Sequence, residues 1–369
     1  MRVIVLCNLG KKGAGTAALW SLAQGFQMNP ENEVHCILSD EVEDKSLWEN
    51  NLFSVHYIKT GNRKTFFKKI LTFLLFGKKK LESEFNGKKI DYLIFYFCTP
   101  WGKIIESALK PRITLTVCHD PIPHKGESVI NKLLCFMEYK RARFMIVMTE
   151  QYKSLVSKKF SLPLSHIYYM PHGLYKNYII TDSKKIDNWY SNDKINYLFF
   201  GRIEKYKGIK LLVDAFIDGY LYESSTLTIA GSGDLSFLGE KIKKVKNIRI
   251  INRFISDDEI ATLFNFDNVV CVIPYTEASQ SGVIAIAAEF LTPIISSDVE
   301  GLVEQLDHGN VGVFFQNNNK TKLIEAMKLF LEDNSCYEKQ KQLLFKYREM
   351  HSWERISFNL IEELENGIN

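Results

Sequence analysis

No apolar run in these 369 residues is long enough to span a bilayer. The opening Met1-Arg2-Val3-Ile4-Val5-Leu6 runs straight into a strand pattern and is too short to serve as a signal peptide. A strong charge of one sign is also missing. Lys and Arg number 47 against 43 Asp and Glu, and a net charge of +4 gives no case for bulk nucleic-acid binding. The seven cysteines, an odd number, follow no metal-ligand spacing. Cys7, Cys98, Cys118 and Cys271 lie in or beside apolar runs, where reduced thiols behave as small hydrophobes, as in a cytosolic protein. Low-complexity tracts and short-period repeats are absent, which excludes solenoids and disordered linker proteins.

What remains is a chain of ordinary globular composition, long enough for two domains that each bury a core. Short apolar runs alternate with helical patterns throughout, the signature of parallel sheets with crossover helices. Strands are predicted at Val3–Cys7, Val34–Leu38, Asp91–Phe97, Arg112–Cys118 and Phe144–Thr149. A polar stretch, Thr181–Asn196, reads as a linker, and strands resume at Tyr197–Phe200, Leu227–Ala230, Ile248–Ile251, Val269–Ile273, Pro293–Ser297 and Val311–Phe315. Helical patterns cover 320–333, 336–350 and 353–366. Two doubly wound, Rossmann-like α/β domains follow, at 1–180 and 196–350, with 351–369 as a closing helix that crosses back to the first.

Ligands of such sheets bind at the carboxyl ends of the strands, so the loops there are the ones to read for chemistry. The first is Asn8-Leu9-Gly10-Lys11-Lys12-Gly13-Ala14-Gly15, whose glycines let backbone approach a phosphate, although the spacing is neither Walker-type nor a full dinucleotide fingerprint. A tight turn explains it equally well. His119-Asp120-Pro121-Ile122-Pro123-His124-Lys125-Gly126-Glu127 directly follows the predicted strand Arg112–Cys118 and offers a His-Asp pair for polar contact with a ligand. In the second half, Gly201-Arg202 ends one strand, and Lys207-Gly208 precedes an amphipathic helix through Leu211, Leu212, Ala215 and Phe216. That brings a guanidinium, an ammonium and a helix start toward one diphosphate. Leu227–Asp234 repeats the pattern of strand, Gly-Ser-Gly turn and helix, and Pro274–Val283 feeds the apolar helix 284–291. Ser256-Asp257-Asp258-Glu259 is a capping box, not a metal site.

Taken in order, these residues resemble glycosyltransferase family 4, retaining enzymes of the GT-B fold, over nearly the whole chain. The resemblance rests on the Gly loop at 13–15, His119, Pro171-His172-Gly173, Gly201-Arg202 with Lys207-Gly208, Ala230–Gly233, Pro274–Val283 and Pro293–Asp298. It implies two facing domains with a cleft between them, the acceptor side on the first and a nucleotide-sugar donor on the second. It places Arg202 and Lys207 on the donor diphosphate, His119 and Glu277 at the transferred sugar, and the backbone of Ser281, Gly282 and Val283 on the phosphates. Gly13, Gly15, Gly201 and Gly231 would let backbone approach the donor, while Asp120, His124 and Lys125 would lie toward the acceptor. The His119–Glu127 loop and Ser281-Gly282-Val283 are similar to a subgroup that builds bacterial surface polysaccharides. One slot departs from the pattern: where the family places a ribose-binding Glu, seven residues before Pro293, this chain has Ile286, and Phe290-Leu291-Thr292 replaces the usual Gly.

The implied reaction is retaining transfer from a nucleotide-diphosphate sugar to a glycan or lipid-linked hydroxyl. Fixed cations would take the leaving-group charge, with neither metal nor cofactor. A nucleotide-sugar epimerase of the same fold and a catalytically silent partner-binding subunit are the rival readings. Finally, residues 59–80 carry eight Lys/Arg and no acid. A helical wheel puts Phe66, Phe67, Ile70, Leu71, Phe73 and Leu74 on one face, with Lys68, Lys69, Lys79 and Lys80 off it, as in a helix lying on an anionic membrane. The expected location is therefore cytoplasmic, peripheral on the inner face of the cell membrane, through 64–80.

Overall fold

The computed structural model describes residues 1–11, 14–43, 45–50, 53–61, 65–121, 129–174, 190, 193–239, 242 and 245–368. The chain divides into two compact units, Met1–Gly173 with His351–Asn369, and Leu174–Met350. Most of the predicted linker 181–196 falls outside the described residues.

The first unit is built on a seven-stranded sheet of β1 (Arg2–Asn8), β2 (Asn32–Ser39), β3 (Ser54–Ile58), β4 (Tyr92–Phe95), β5 (Ile113–Cys118), β6 (Phe144–Val147) and β7 (Ile167–Tyr169). The order is β3-β2-β1-β4-β5-β6-β7. All pairs are parallel, with Ile4 of β1 level with Val34 and Tyr92 on either side. Val3 to Cys7 and all of β4 are buried, as expected where helices cover both faces. Two edge strands were not foreseen: β3 alternates exposure, and β7 is only three residues long, so neither carries a continuous apolar run. The closing helix Trp353–Ile368 belongs to this unit and lies on the helix Ala14–Gln27, where a Cβ on Gly25 would sit 2.4 Å from the Trp353 carbonyl oxygen.

The second unit carries β8 (Ile195–Phe200), β9 (Ser225–Gly231), β10 (Ile248–Asn252), β11 (Val269–Ile273), β12 (Ile294–Ser297) and β13 (Val313–Phe315), ordered β10-β9-β8-β11-β12-β13 and again parallel. In each sheet the order reverses direction at one pair, β1/β4 in the first and β8/β11 in the second. Loops leaving those strands on the carboxyl side diverge there and open a crevice for ligand.

Two expectations need correction. No α-helix follows Gly231-Ser232-Gly233 directly: Asp234 caps a short 3-10 turn at Ser236–Leu238 by accepting from the Ser236 N–H at 2.8 Å. The helix over 64–80 is not one amphipathic rod. Helical turns at Phe66–Thr72 and Lys78–Glu84 flank a π-type turn, Phe73–Gly77, and its apolar residues divide between two directions. Phe66, Ile70 and Phe73 pack on the sheet's core, with Phe66 and Phe73 set edge-on to the buried Trp101 at 6.1 and 5.6 Å. Phe67, Leu71 and Leu74 face outward at 82%, 58% and 48% exposure.

Candidate functional site

In the second unit the site begins where β8 runs out. The Gly201 N–H donates to the Ala230 carbonyl at 3.0 Å and Ile203 to Ser232 at 2.9 Å, so residues 201–203 continue alongside Ala230–Gly233. Gly231 ends β9 against Gly201, whose carbonyl oxygen is 1.9 Å from where a Cβ on Gly231 would stand. Lys205–Lys207 then makes a single 3-10 turn, closed by Gly208 at φ +68°, where a Cβ would lie 1.8 Å from the Pro274 carbonyl oxygen. Only glycine permits both that backbone angle and that approach, and it joins the loop after β8 to the loop after β11. Thr276 adds two more ties, its N–H and hydroxyl both donating to the Tyr206 carbonyl, at 2.8 and 2.9 Å. Asn317, just past β13, donates its amide to the Thr276 carbonyl at 3.0 Å. Glu277 follows on this pinned loop and is exposed.

Lys207 is the centre of this arrangement. Its Nζ donates to the Tyr275 hydroxyl at 3.1 Å, lies 4.7 Å from that ring's centroid, and sits 3.1 Å from the Cβ position of Gly201. Burial lowers its pKa, and the nearby Arg202 charge acts in the same direction. Glu204 opposes that shift only through space, so among the described residues the ammonium is bonded to a neutral hydroxyl and not to a carboxylate, an arrangement that a bound anion would complete. Arg202 itself is open to solvent, its side chain 72% exposed and paired with Glu204 at 2.9 Å. Tyr275 is buried, and its hydroxyl also lies 3.5 Å from the Ser281 hydroxyl.

Ser281 opens the helix Gly282–Glu289 as its N-cap, its hydroxyl oxygen accepting from the Val283 N–H at 3.3 Å. Gln305 holds the Ser281 peptide from both sides: it accepts from the Ser281 N–H at 2.7 Å and donates to the Ser281 carbonyl at 3.0 Å. Of the three amides expected to face an anion, those of Ser281 and Val283 therefore already have acceptors within the chain. Ile286 is 5% exposed in a helix buried from Val283 to Ala288. Leu291, in the stretch Phe290-Leu291-Thr292, stands at φ +54°, a left-handed conformation that costs a side-chain-bearing residue about 1 kcal/mol.

The first unit contributes a different kind of site at its own strand ends. The His119 ring stacks on Phe97 with centroids 4.2 Å apart and planes 9° apart. A side chain on Gly15, in the first turn of the helix after β1, would strike the same Phe97 ring at 2.2 Å. The His119 Nε2–H donates to the Tyr96 carbonyl at 2.7 Å, which leaves Nδ1 as an acceptor in the neutral ring. Burial lowers its pKa, while the Tyr96 bond and the Asp120 charge oppose that shift. His172 donates Nδ1–H to the Gly173 carbonyl at 2.7 Å; burial pushes its pKa down to about 4, and the charge on His119 adds to the effect. Gly13, His124 and Lys125 lie outside the described residues.

The structure thus groups Gly201, Lys207, Gly231, Ser281, Gly282 and Val283 in one unit, and Gly15 and His119 in the other. Reading the sequence missed the parts that hold them. Tyr275 and Phe97 are aromatics just past a strand, with no spacing that marks their contacts, and Gln305 lies 24 residues from the peptide it grips. The capping box at Ser256 and Glu259 is present. Among the described residues, no three His, Cys, Asp or Glu side chains are grouped to hold a metal ion. None of the described helices is long and apolar enough to cross a membrane.

Two parallel-sheet α/β units define the class: this is the fold of the GT-B glycosyltransferases. Residues 181–346 match the family Glycosyl transferases group 1, so the second unit carries a domain of that family. An uncharacterized glycosyltransferase of Methanocaldococcus jannaschii is 28% identical over 175 residues, which span 45% of this chain and 43% of that protein. A second uncharacterized glycosyltransferase of the same organism is 24% identical over 293 residues, 71% of each chain. The crystal structure of HepE from Anabaena, in complex with UDP and glucose, superposes with a TM-score of 0.73 at 14% identity, covering 99% of this chain and 100% of that one.

Proposed function

We propose that this protein is a retaining glycosyltransferase of the family 4 type. It moves a sugar from a nucleotide-diphosphate donor to a hydroxyl of a glycan or lipid-linked acceptor in surface-polysaccharide synthesis. The observation that carries the reading is Lys207, a half-buried ammonium with no carboxylate bonded to it among the described residues, fixed between the Gly201 backbone and Tyr275. As the sugar–phosphate bond loosens, negative charge grows on the departing diphosphate. Lys207, Arg202 and the Gly282 amide meet it with groups already in place, so no reorganisation is required at that moment. These fixed charges serve where other enzymes use a metal ion. His119 is assigned to the transferred sugar, where its neutral Nδ1 accepts from a sugar hydroxyl, and Glu277 to the same sugar from the pinned loop. The acceptor hydroxyl then attacks from the side the phosphate leaves, and configuration is retained. A cytoplasmic enzyme working on lipid-linked acceptors would sit on the inner face of the membrane.

A panel of nucleotide sugars tests this. Turnover that releases one nucleoside diphosphate and gives a product of unchanged anomeric configuration by NMR is the expected result. Conversion of the sugar without release of the diphosphate would mean an epimerase. The buried Ile286, standing where the family has a carboxylate, favours one second reading, a silent partner-binding subunit, and no turnover with any donor together with no donor binding would establish it.

A further inference from the structure

The split helix over Phe66–Glu84 leaves an apolar strip open to solvent among the described residues. Phe67, Leu71, Leu74 and Leu75 follow the spacing of one helical stripe and are 82%, 58%, 48% and 60% exposed, with Phe76 at 72% beside them. Phe66, Ile70 and Phe73 face the core, as Leu81 does beyond the π-type turn, while Phe67, Leu71 and Leu74, each one step round the helix, are turned outward. A second exposed strip lies on the helix Val129–Arg141, where Leu133, Phe136 and Met137 are 58%, 46% and 38% exposed. The two are neighbours. Phe66 and Phe73 rest on Trp101, and the next residue, Gly102, has its Cβ position 3.0 Å from the Glu138 carboxylate, one residue beyond Met137.

We infer that these two strips form a single footprint by which the first unit seats on a bilayer of anionic lipid. Charge selects this occupant over a protein or a second copy. Exposed Lys68, Lys79 and Lys80 frame the first strip, and Lys140 and Arg141 end the second helix. No acid occurs from 59 to 80, and Glu138 is turned toward Gly102 and Arg141. Long lysine stems can lie along the apolar surface while their ammonium heads reach lipid phosphates. Each basic residue near an anionic surface is worth roughly fivefold in partition. The inference names a surface partner for the proposed enzyme and rests on that reading only for its purpose, since vesicles lacking donor and acceptor test it alone.

The experiment is co-sedimentation of the full chain with phosphatidylcholine vesicles, with and without phosphatidylglycerol. Wild type should bind the anionic vesicles and be released by high salt. Lys68→Glu with Lys79→Glu should lower partition by more than about tenfold. Phe67→Ser, Leu71→Ser and Leu74→Ser together, and separately Leu133→Ser with Met137→Ser, should each weaken binding while leaving the urea midpoint of unfolding unchanged. Equal binding to neutral and anionic vesicles, or unchanged binding in the charge-reversed protein, would overturn the proposal. Loss through the first strip alone would remove the second from the footprint. A concentration-dependent dimer abolished by the Phe67, Leu71 and Leu74 changes, without vesicle binding, would assign the surface to a second copy instead.

Discussion

The strand ends of the two units solve different problems with different means. After β8 and β11 the chain builds a site from backbone and one cation, locked by Gly208 against Pro274, Thr276 against Tyr206 and Gln305 around Ser281. After β4 and β5 it builds one from rings, His119 lying flat on Phe97 above Gly15. The first arrangement fixes charge and dipole direction, as is required where negative charge develops on a leaving group. The second fixes one tautomer and one ring plane and leaves a single nitrogen to act. On the proposed function, electrostatic stabilisation falls to rigid, hydrogen-bonded loops, while sugar contact falls to a ring held by stacking and one bond.

That contrast can be broken at its rigid end first. Ile286→Glu would put a carboxylate inside a helix buried from Val283 to Ala288, and the cost should be several kcal/mol of stability by urea unfolding. Unchanged stability with tighter donor binding would mean that the helix faces a ribose with room to spare. Lys207→Ala should cut transfer by at least about a hundredfold with folding intact, the scale for losing one donor to a developing anion. Arg202→Ala is expected to do the same, and its exposure makes it the more searching test, since a surface ion pair with Glu204 alone would leave turnover untouched.

On the other side of the comparison, His119→Ala should lower turnover by about tenfold or more with little change in the donor Michaelis constant. A rise confined to that constant would reassign the ring to donor binding. Tyr275→Phe is predicted to be milder, about fivefold, because it removes the hydroxyl that Lys207 leans on but not the lysine; stability should change little in the same variant.

The first unit should also be the pH-sensitive one. His172 has a folded pKa of about 4 against an ordinary value of 6.5, because burial disfavours its charged form. Between those values the unfolded chain binds more protons than the folded one, so stability falls as pH drops from about 6.5 toward 4 and the loss levels off below. His172→Asn keeps a donor for the Gly173 carbonyl and should flatten that slope in urea titrations at pH 7 and pH 5. An unaltered slope would mean that His172 is already protonated in the fold or is reached by water.

Much of this was legible before any coordinates, and unevenly so. Buried strands such as Val269–Ile273 announce themselves as continuous apolar runs, and the glycines after them mark backbone that must come close to something. Edge strands do not: Ser54–Ile58 alternates and Ile167–Tyr169 is three residues long. Candidate site residues that end a strand, such as Arg202 and His119, stand out by position alone. Residues that hold them in place do not, because Gln305 acts from a helix far along the chain and Phe97 acts through a ring face that no spacing records. The helix over 66–84 failed for a third reason. A wheel groups residues by angle without saying how wide a stripe the sheet covers: Phe66, Ile70 and Phe73 go inward, while Phe67, Leu71 and Leu74, one step round, stay outward.

The central claim is that Lys207 carries charge that develops as a diphosphate leaves. Its most direct test is the rate of nucleoside diphosphate release by wild type and by Lys207→Ala, with the donor identified in the panel, both at saturating donor. The account predicts that the variant binds the donor, unfolds at the wild-type urea concentration, and releases diphosphate at least about a hundredfold more slowly. Release at the wild-type rate would contradict it and take Lys207 out of the chemistry.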